Sequence, residues 1–199
     1  MKSFLRGILP DLIFLAIIGA AATIVLTAKG YDLQQPIPYV TSVPRAGEIA
    51  RDLVFVGNVE RVTDGDTLWV SQKGTVTHKV RLYAVDAPEL DHAFFGKKWP
   101  EQPYAKEARD VLKSLVIGNT VTCTVVNKSY DRYVCKVFVG NKDVCLEMVK
   151  LGAAWVEPRY NHSQAYRDAQ DAAESAKLGL HSDRYKPAVE PRFWRAGKR

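Results

Sequence analysis

Apolar and polar residues alternate through positions 53–72, and Asp64-Gly65 interrupts the alternation. That pattern predicts two half-buried strands joined by a turn. The stretch HKVRLYAVDAPE (78–89) predicts a third strand running into a proline-containing loop. Residues 90–103 show no period and carry Phe94, Phe95, Gly96, Trp99, Pro100 and Pro103, so they read as irregular chain. From Tyr104 the period becomes helical: Ala105, Ala108, Val111, Leu112 and Leu115 recur on one face, and Gly118 follows as a cap. Residues 119–144 predict two more strands around a polar turn near Ser129. VCLEMVKLG reads as a short helix. SQAYRDAQDAAESAKLG reads as a longer one, with Ala165, Ala169, Ala172 and Ala176 on one face and Gly179 as its stop. Strands come first, a helix interrupts, and a strand pair with two helices follows. No βαβαβ alternation is present, which argues against a doubly wound sheet. The pattern points to an α+β fold: a small, mostly antiparallel barrel with helices packed on it.

The first thirty residues are different. From Leu12 to Ala28 none of 17 consecutive residues is charged. That is the lower edge of the roughly 17–25 residues that cross a bilayer. Lys2 and Arg6 precede the run, which places the N-terminus in the cytoplasm and the rest of the chain across the membrane. The competing reading is a signal peptide cleaved near Ala20, Ala21 and Ala22. The apolar run continues past those alanines, which favours an uncleaved anchor. Residues 30–50 contain Pro36, Pro38 and Pro44 and read as an extended linker. The expected organisation is an anchor or signal peptide over 1–29, a linker over 30–50, a folded domain over 51–185 and a basic aromatic tail over 186–199. The bilayer is then a partner through residues 12–28, with the domain periplasmic or extracellular; cleavage would make the protein secreted.

Charge adds a modest constraint. The 199-residue chain has a net charge of +6. The first thirty residues hold three of the 28 basic and one of the 22 acidic residues, so the remainder is still +4. Such a surface favours polyanions without proving that it binds them. Cys123, Cys135 and Cys145 make an odd count. Thr122, Thr124 and Lys136 should face outward, so Cys123 and Cys135 should face inward. They form either a cross-strand disulfide in an oxidising compartment or two buried thiols. No Cys/His spacing suggests zinc.

Two acidic turns stand out: Asp64-Gly65-Asp66-Thr67, and the strand that ends in Asp86-Ala87-Pro88-Glu89. Pro88 fixes the local backbone and pushes Ala87 toward an extended shape. Hard cations such as Ca2+ take oxygen ligands, which Asp66 and Asp86 could supply from adjacent strand ends. Glu89 could activate water. Arg81, five residues before Asp86, could bind a phosphate through paired hydrogen bonds. On these residues alone the plainer reading, four surface charges at turns, is the favoured one.

Five ordered blocks resemble the staphylococcal nuclease (thermonuclease) family: VTDGDTLWV, VRLYAVDAPE, QPYAKEARDVLKSLV, YDRYVCKVFV and VCLEMVKLGAAWV. The likeness spans roughly residues 53–185, and the terminal PRFWR is similar to the aromatic-basic ending of bacterial members. The resemblance implies a five-stranded OB-fold barrel with about three helices. It implies Ca2+-dependent hydrolysis of DNA and RNA with little sequence preference. Asp66 and Asp86 resemble the metal carboxylates, and Ala87 the position that offers its carbonyl. Glu89 resembles the general base, Arg81 the first phosphate-binding arginine and Asp64 a supporting acid. Tyr160 resembles a nucleotide-pocket tyrosine, and Arg132 and Tyr133 match positions that support or contact substrate.

The chain departs from that pattern at Asp131-Arg132-Tyr133-Val134-Cys135-Lys136, where a Gly-Arg should follow the tyrosine. The departure reads best as a shortened turn after which the strand resumes at once. Lys136 is a poor replacement, because it offers a point charge rather than a planar fork. Losing one charge-stabilising group of this kind costs about 10²–10³ in rate. Two functions remain open from the sequence: a membrane-tethered nuclease of reduced activity, or a nuclease-like module that binds nucleic acid or a protein partner without cutting.

Overall fold

The computed structural model describes residues 53–197, apart from 73, 75, 95, 96, 161 and 162. The expected anchor and linker lie outside the described residues. Among the described residues, no helix is long and apolar enough to cross a membrane.

The described residues open with β1 (Val54–Val62), β2 (Thr67–Gln72) and β3 (Val76–Leu82), an antiparallel meander. A two-residue strand, β4 (Val85–Asp86), follows, then a small antiparallel pair, β5 (His92–Phe94) and β6 (Lys97–Trp99). Helix α1 (Ala105–Val116) leads to β7 (Thr120–Ser129) and β8 (Arg132–Val139). Next come β9 (Lys142–Asp143), α2 (Val144–Lys150), β10 (Trp155–Val156) and α3 (Gln164–Ser175), and a short helix α4 (Pro191–Arg195) comes last.

Five strands make the barrel, in the order β3-β2-β1-β7-β8. Parallel pairing of β3 with β8 closes it, Arg81 opposite Val134. Closure removes free sheet edges. Period-2 alternation sends Phe55, Leu68, Val70, Val80, Leu82 and Val121 inward, all 2% exposed or less. Helix α1 caps this core with Ala105, Ala108, Leu112 and Val116. The five-stranded, OB-like barrel and its helices therefore match the expected architecture.

Three local expectations change. The third strand is not continuous to Asp86. Ala84 takes a positive φ of 61°, β3 stops at Leu82, and β4 leaves the barrel to pair with β10, Asp86 opposite Trp155. The chain turns there because the Ala84 carbonyl accepts from the Glu157 N–H (2.9 Å) while the Tyr83 N–H bonds the Cys135 carbonyl (2.8 Å). Residues 90–103 are not wholly irregular, since they hold the β5–β6 pair. The alanine stripe of α3 is not its buried face. Tyr166, Ala169 and Ala173 are buried, whereas Ala165, Ala172 and Ala176 are exposed. Tyr166 decides the orientation: its large ring goes inward and its hydroxyl donates to Asp143 Oδ2 at 2.8 Å. Gly179 lies beyond the end of α3, where any Cβ would run into the backbone of Gly152.

All three cysteines are buried free thiols. Cys123 faces Val137 and Cys135 faces Val125 across the β7–β8 ladder, so the two sulfurs are not directly opposed.

Candidate active site

The turn between β1 and β2 delivers two aspartates to one end of the barrel. Asp64 Oδ1 accepts the backbone N–H of Asp66 at 3.0 Å, a local bond that shapes the turn. Gly65 between them is required for close packing. A Cβ there would lie 2.6 Å from the Ala87 Cβ and 3.0 Å from the Ala108 Cβ. The turn thus presses against both the Asp86-Ala87 segment and helix α1.

Register then aligns the basic partner. Arg81 on β3 is opposite Thr67 on β2. Its Nη1 donates to Asp66 Oδ1 at 2.8 Å and its Nη2 to Asp86 Oδ1 at 2.7 Å. One guanidinium bridges the two carboxylates that the sequence singled out. Both acids are only 4% exposed, so the charge-assisted bonds form away from bulk water. Burial draws the Arg81 pKa down, but Asp66 and Asp86 outweigh it and leave the group above its ordinary value. Asp66 is further held by the Thr67 hydroxyl (2.9 Å) and by the Ala87 N–H (3.4 Å). Burial, with the charge of Asp66 beside it, pushes the Asp64 carboxyl up to about 7.

Glu89 follows Pro88 and is held from outside the barrel. The Gln102 side chain, from the loop before α1, accepts the Glu89 N–H at 3.1 Å. The Gln102 backbone N–H donates to the Glu89 carbonyl at 2.8 Å. Gln102 is 2% exposed, and its Nε2 donates to the Val189 carbonyl in the C-terminal segment.

That segment brings a residue that the sequence reading did not place here. Arg195, on α4, donates through Nη2 to Asp86 Oδ2 (2.7 Å) and through Nη1 to Asp86 Oδ1 (3.2 Å) and Glu89 Oε1. Burial acts against its charge, but the bonds to Asp86 and Glu89 prevail and raise its pKa. The only sequence signal for it was the aromatic-basic pattern of PRFWR.

Asp64, Asp66, Arg81, Ala87, Glu89, Arg132, Tyr160 and Arg195 all line one cleft of about 960 Å3. Tyr160 is half exposed on its wall, its carbonyl accepting the Tyr83 hydroxyl at 2.6 Å. Arg132 Nη1 reaches Thr67 Oγ1 at 3.4 Å. Tyr133 is not brought to the cleft. It is buried in the core, its ring 6.1 Å from that of Phe55 and 5.5 Å from that of His78. Alternation along β8 explains this, since Tyr133 points inward with Cys135 and Val137. The β7–β8 turn is as short as expected: Ser129 pairs with Arg132, leaving only Tyr130 and Asp131 between the strands. Lys136 also lines the cleft, 5.9 Å from the Tyr83 ring centroid.

The donor chemistry fits a hard divalent cation. The Asp64, Asp66, Asp86 and Glu89 carboxylates offer only oxygen donors. Among the described residues, no group of three or more His, Cys, Asp or Glu is arranged to hold a metal ion. A bound cation would need a backbone carbonyl, water or substrate oxygens to join Asp66 and Asp86.

Residues 79–183 match the family described as staphylococcal nuclease homologue. An uncharacterized endonuclease of Escherichia coli O157:H7 is 36% identical over 144 residues, covering 71% of this chain and 86% of its own. An uncharacterized endonuclease of Haemophilus influenzae is 36% identical over 138 residues, covering 69% of this chain and 71% of its own. A probable endonuclease LCL3 of Phaeosphaeria nodorum is 39% identical over 112 residues, 51% of this chain and 36% of its own.

Proposed function

Because the chain belongs to the staphylococcal nuclease family, we propose that it hydrolyses phosphodiester bonds in DNA and RNA with Ca2+ and little sequence preference, while tethered to a membrane. It is a nuclease, a hydrolase of nucleic acid. The observation that supports the calcium reading is that two nearly buried aspartates, Asp66 and Asp86, are brought together beside a polar cleft, close enough to share the Arg81 guanidinium.

In this reading Asp66, Asp86 and the Ala87 carbonyl hold the ion, with Asp64 in support. When bound, Ca2+ supplies Lewis-acid polarisation of a phosphoryl oxygen. Arg81 spends only part of its donor fork on the aspartates and gives the rest to the phosphate. Glu89 takes the proton of the attacking water. The water oxygen bonds to phosphorus as the ester P–O bond breaks, and the leaving oxygen takes a proton from solvent. Tyr160 offers a ring against which a base can stack, and Arg132 and Lys136 supply positive charge along the strand. Support for the tether is the uncharged run over residues 12–28 behind Lys2 and Arg6. In this reading the nuclease domain lies in the periplasm or outside the cell.

The test uses the full chain in detergent. It should degrade plasmid and single-stranded DNA with Ca2+, stop on chelation, and lose cleavage in Glu89→Gln. Folded protein that does not cut overturns the calcium-dependent reading. Fractionation tests the tether: release of the protein from washed membranes without detergent refutes it.

A further inference from the structure

We propose that Arg195 is a catalytic residue, whose guanidinium binds the scissile phosphate beside Arg81 and stabilises the charge that builds on it. The proposal rests on the nuclease reading above. It extends beyond the matched family region, which ends at residue 183.

The first argument is convergence. Arg81 Nη2 and Arg195 Nη1 bond the same oxygen, Asp86 Oδ1, at 2.7 and 3.2 Å. Two guanidiniums that meet on one carboxylate oxygen can also grip one phosphate placed beside it. Phosphoryl transfer needs such a pair, because negative charge accumulates on several oxygens at once. Arg195 also touches Glu89, the group proposed to activate water, so it sits beside the base as well as beside Asp86.

The second argument is that, among the described residues, the other planar donors of the cleft are engaged elsewhere: the Arg159 guanidinium is paired with Glu157 at 2.9 Å through both Nε and Nη2. The turn after β7 keeps two residues, and the following strand sends Tyr133 into the core. Arg132 points to Thr67. Lys136 lies against Tyr83 and brings a point charge rather than a fork.

The third argument is anchoring. The C-terminal segment is fixed upstream of Arg195: Gln102 holds the Val189 carbonyl, Pro191 is buried, and Trp194 Nε1 donates to the Pro100 carbonyl at 3.3 Å. Gln102 therefore positions Glu89 and the segment that carries Arg195 together. The Arg195 side chain itself is 39% exposed. It can turn from the carboxylates to an incoming phosphate while its backbone stays docked.

The experiment compares full-length wild type, Arg195→Ala, Arg195→Lys and Glu89→Gln, each checked for folding by thermal melt. With Ca2+, Arg195→Ala should lose about 10²–10³ in kcat, and Arg195→Lys should recover part of it. With chelator, where no cutting occurs, Arg195→Ala should bind a fluorescent single-stranded oligonucleotide more weakly. Its salt dependence should fall by about one counterion. A folded Arg195→Ala with unchanged or increased kcat overturns the proposal, an increase being the mark of a plug. If wild type and Glu89→Gln are equally inactive, the nuclease reading fails separately. In that case unchanged oligonucleotide binding by Arg195→Ala also overturns the phosphate-binding role.

Discussion

Gln102 holds Glu89 by two hydrogen bonds, donating from its backbone to the Glu89 carbonyl at 2.8 Å and accepting the Glu89 N–H on its side chain at 3.1 Å. The same side chain donates to the Val189 carbonyl. Gln102→Ala would leave the Glu89 N–H and the Val189 carbonyl without that partner inside the protein. The expected loss is about 1–3 kcal/mol of stability. Because Glu89 and the Arg195 segment both loosen, kcat should fall more than KM rises. Denaturant unfolding and steady-state cleavage measure the two effects. Unchanged kcat in a destabilised variant would show that Gln102 is structural only.

Gly65 offers a test of how the metal-site turn is packed. Its φ is not in the left-handed region, so backbone freedom is not the issue. A methyl group would meet Ala87 and Ala108 at 2.6 and 3.0 Å. Gly65→Ala should therefore push the Asp64–Asp66 turn away from Ala87. Overpacking of this kind costs about 1–3 kcal/mol. Ca2+ affinity, measured by calorimetry, should drop along with stability. Ca2+ affinity equal to wild type would mean that the turn and Ala87 need not touch.

These two residues also mark how far the sequence can be read. Strands and helices are legible because period 2 and period 3.6 are local properties, and β1, β7 and β8 follow the first over most of their length. The Arg81–Asp86 contact is legible because five residues of chain separate them. The break at Ala84 is not, because nothing in an alanine signals a positive φ imposed by Glu157 from another segment. Gln102 lies in a stretch without period, and Arg195 meets Glu89 across 106 residues. Such contacts depend on tertiary closure, which no window of sequence contains. Tyr133 is the converse case. Its motif suggested a site residue, and strand alternation turned it into the core.

Metal removal should be visible without any cleavage assay. A ligand that binds only the folded state stabilises it by mass action, about 2.7 kcal/mol at a hundred-fold excess over Kd. Wild type should melt at a higher temperature in Ca2+ than in chelator. Asp66→Asn should lose that increment, since its amide is a weaker ligand and the bridge to Arg81 loses its charge. A Ca2+-induced rise of equal size in both proteins would remove Asp66 from the site.

Acid should weaken the fold through His181. It is buried, its ring 6.1 Å from that of Trp155, and its Nε2 has no hydrogen-bond partner. Burial pushes its pKa below the ordinary 6.5, although Glu174 pulls the other way. The unfolded chain therefore takes up this proton at a higher pH than the native protein does. The contribution is fully present above about pH 6.5 and is lost as pH falls below that value, down to the folded pKa. Asp64 has the opposite sign over part of this range, because its carboxyl is raised to about 7. The useful quantity is thus a difference between two proteins that both contain Asp64. His181→Leu has no imidazole to protonate, so its stability relative to wild type should improve steadily as pH drops from 7 toward about 5. Urea unfolding at a series of pH values measures this. A difference that stays constant across that range would show that His181 ionises alike in the folded and unfolded chain.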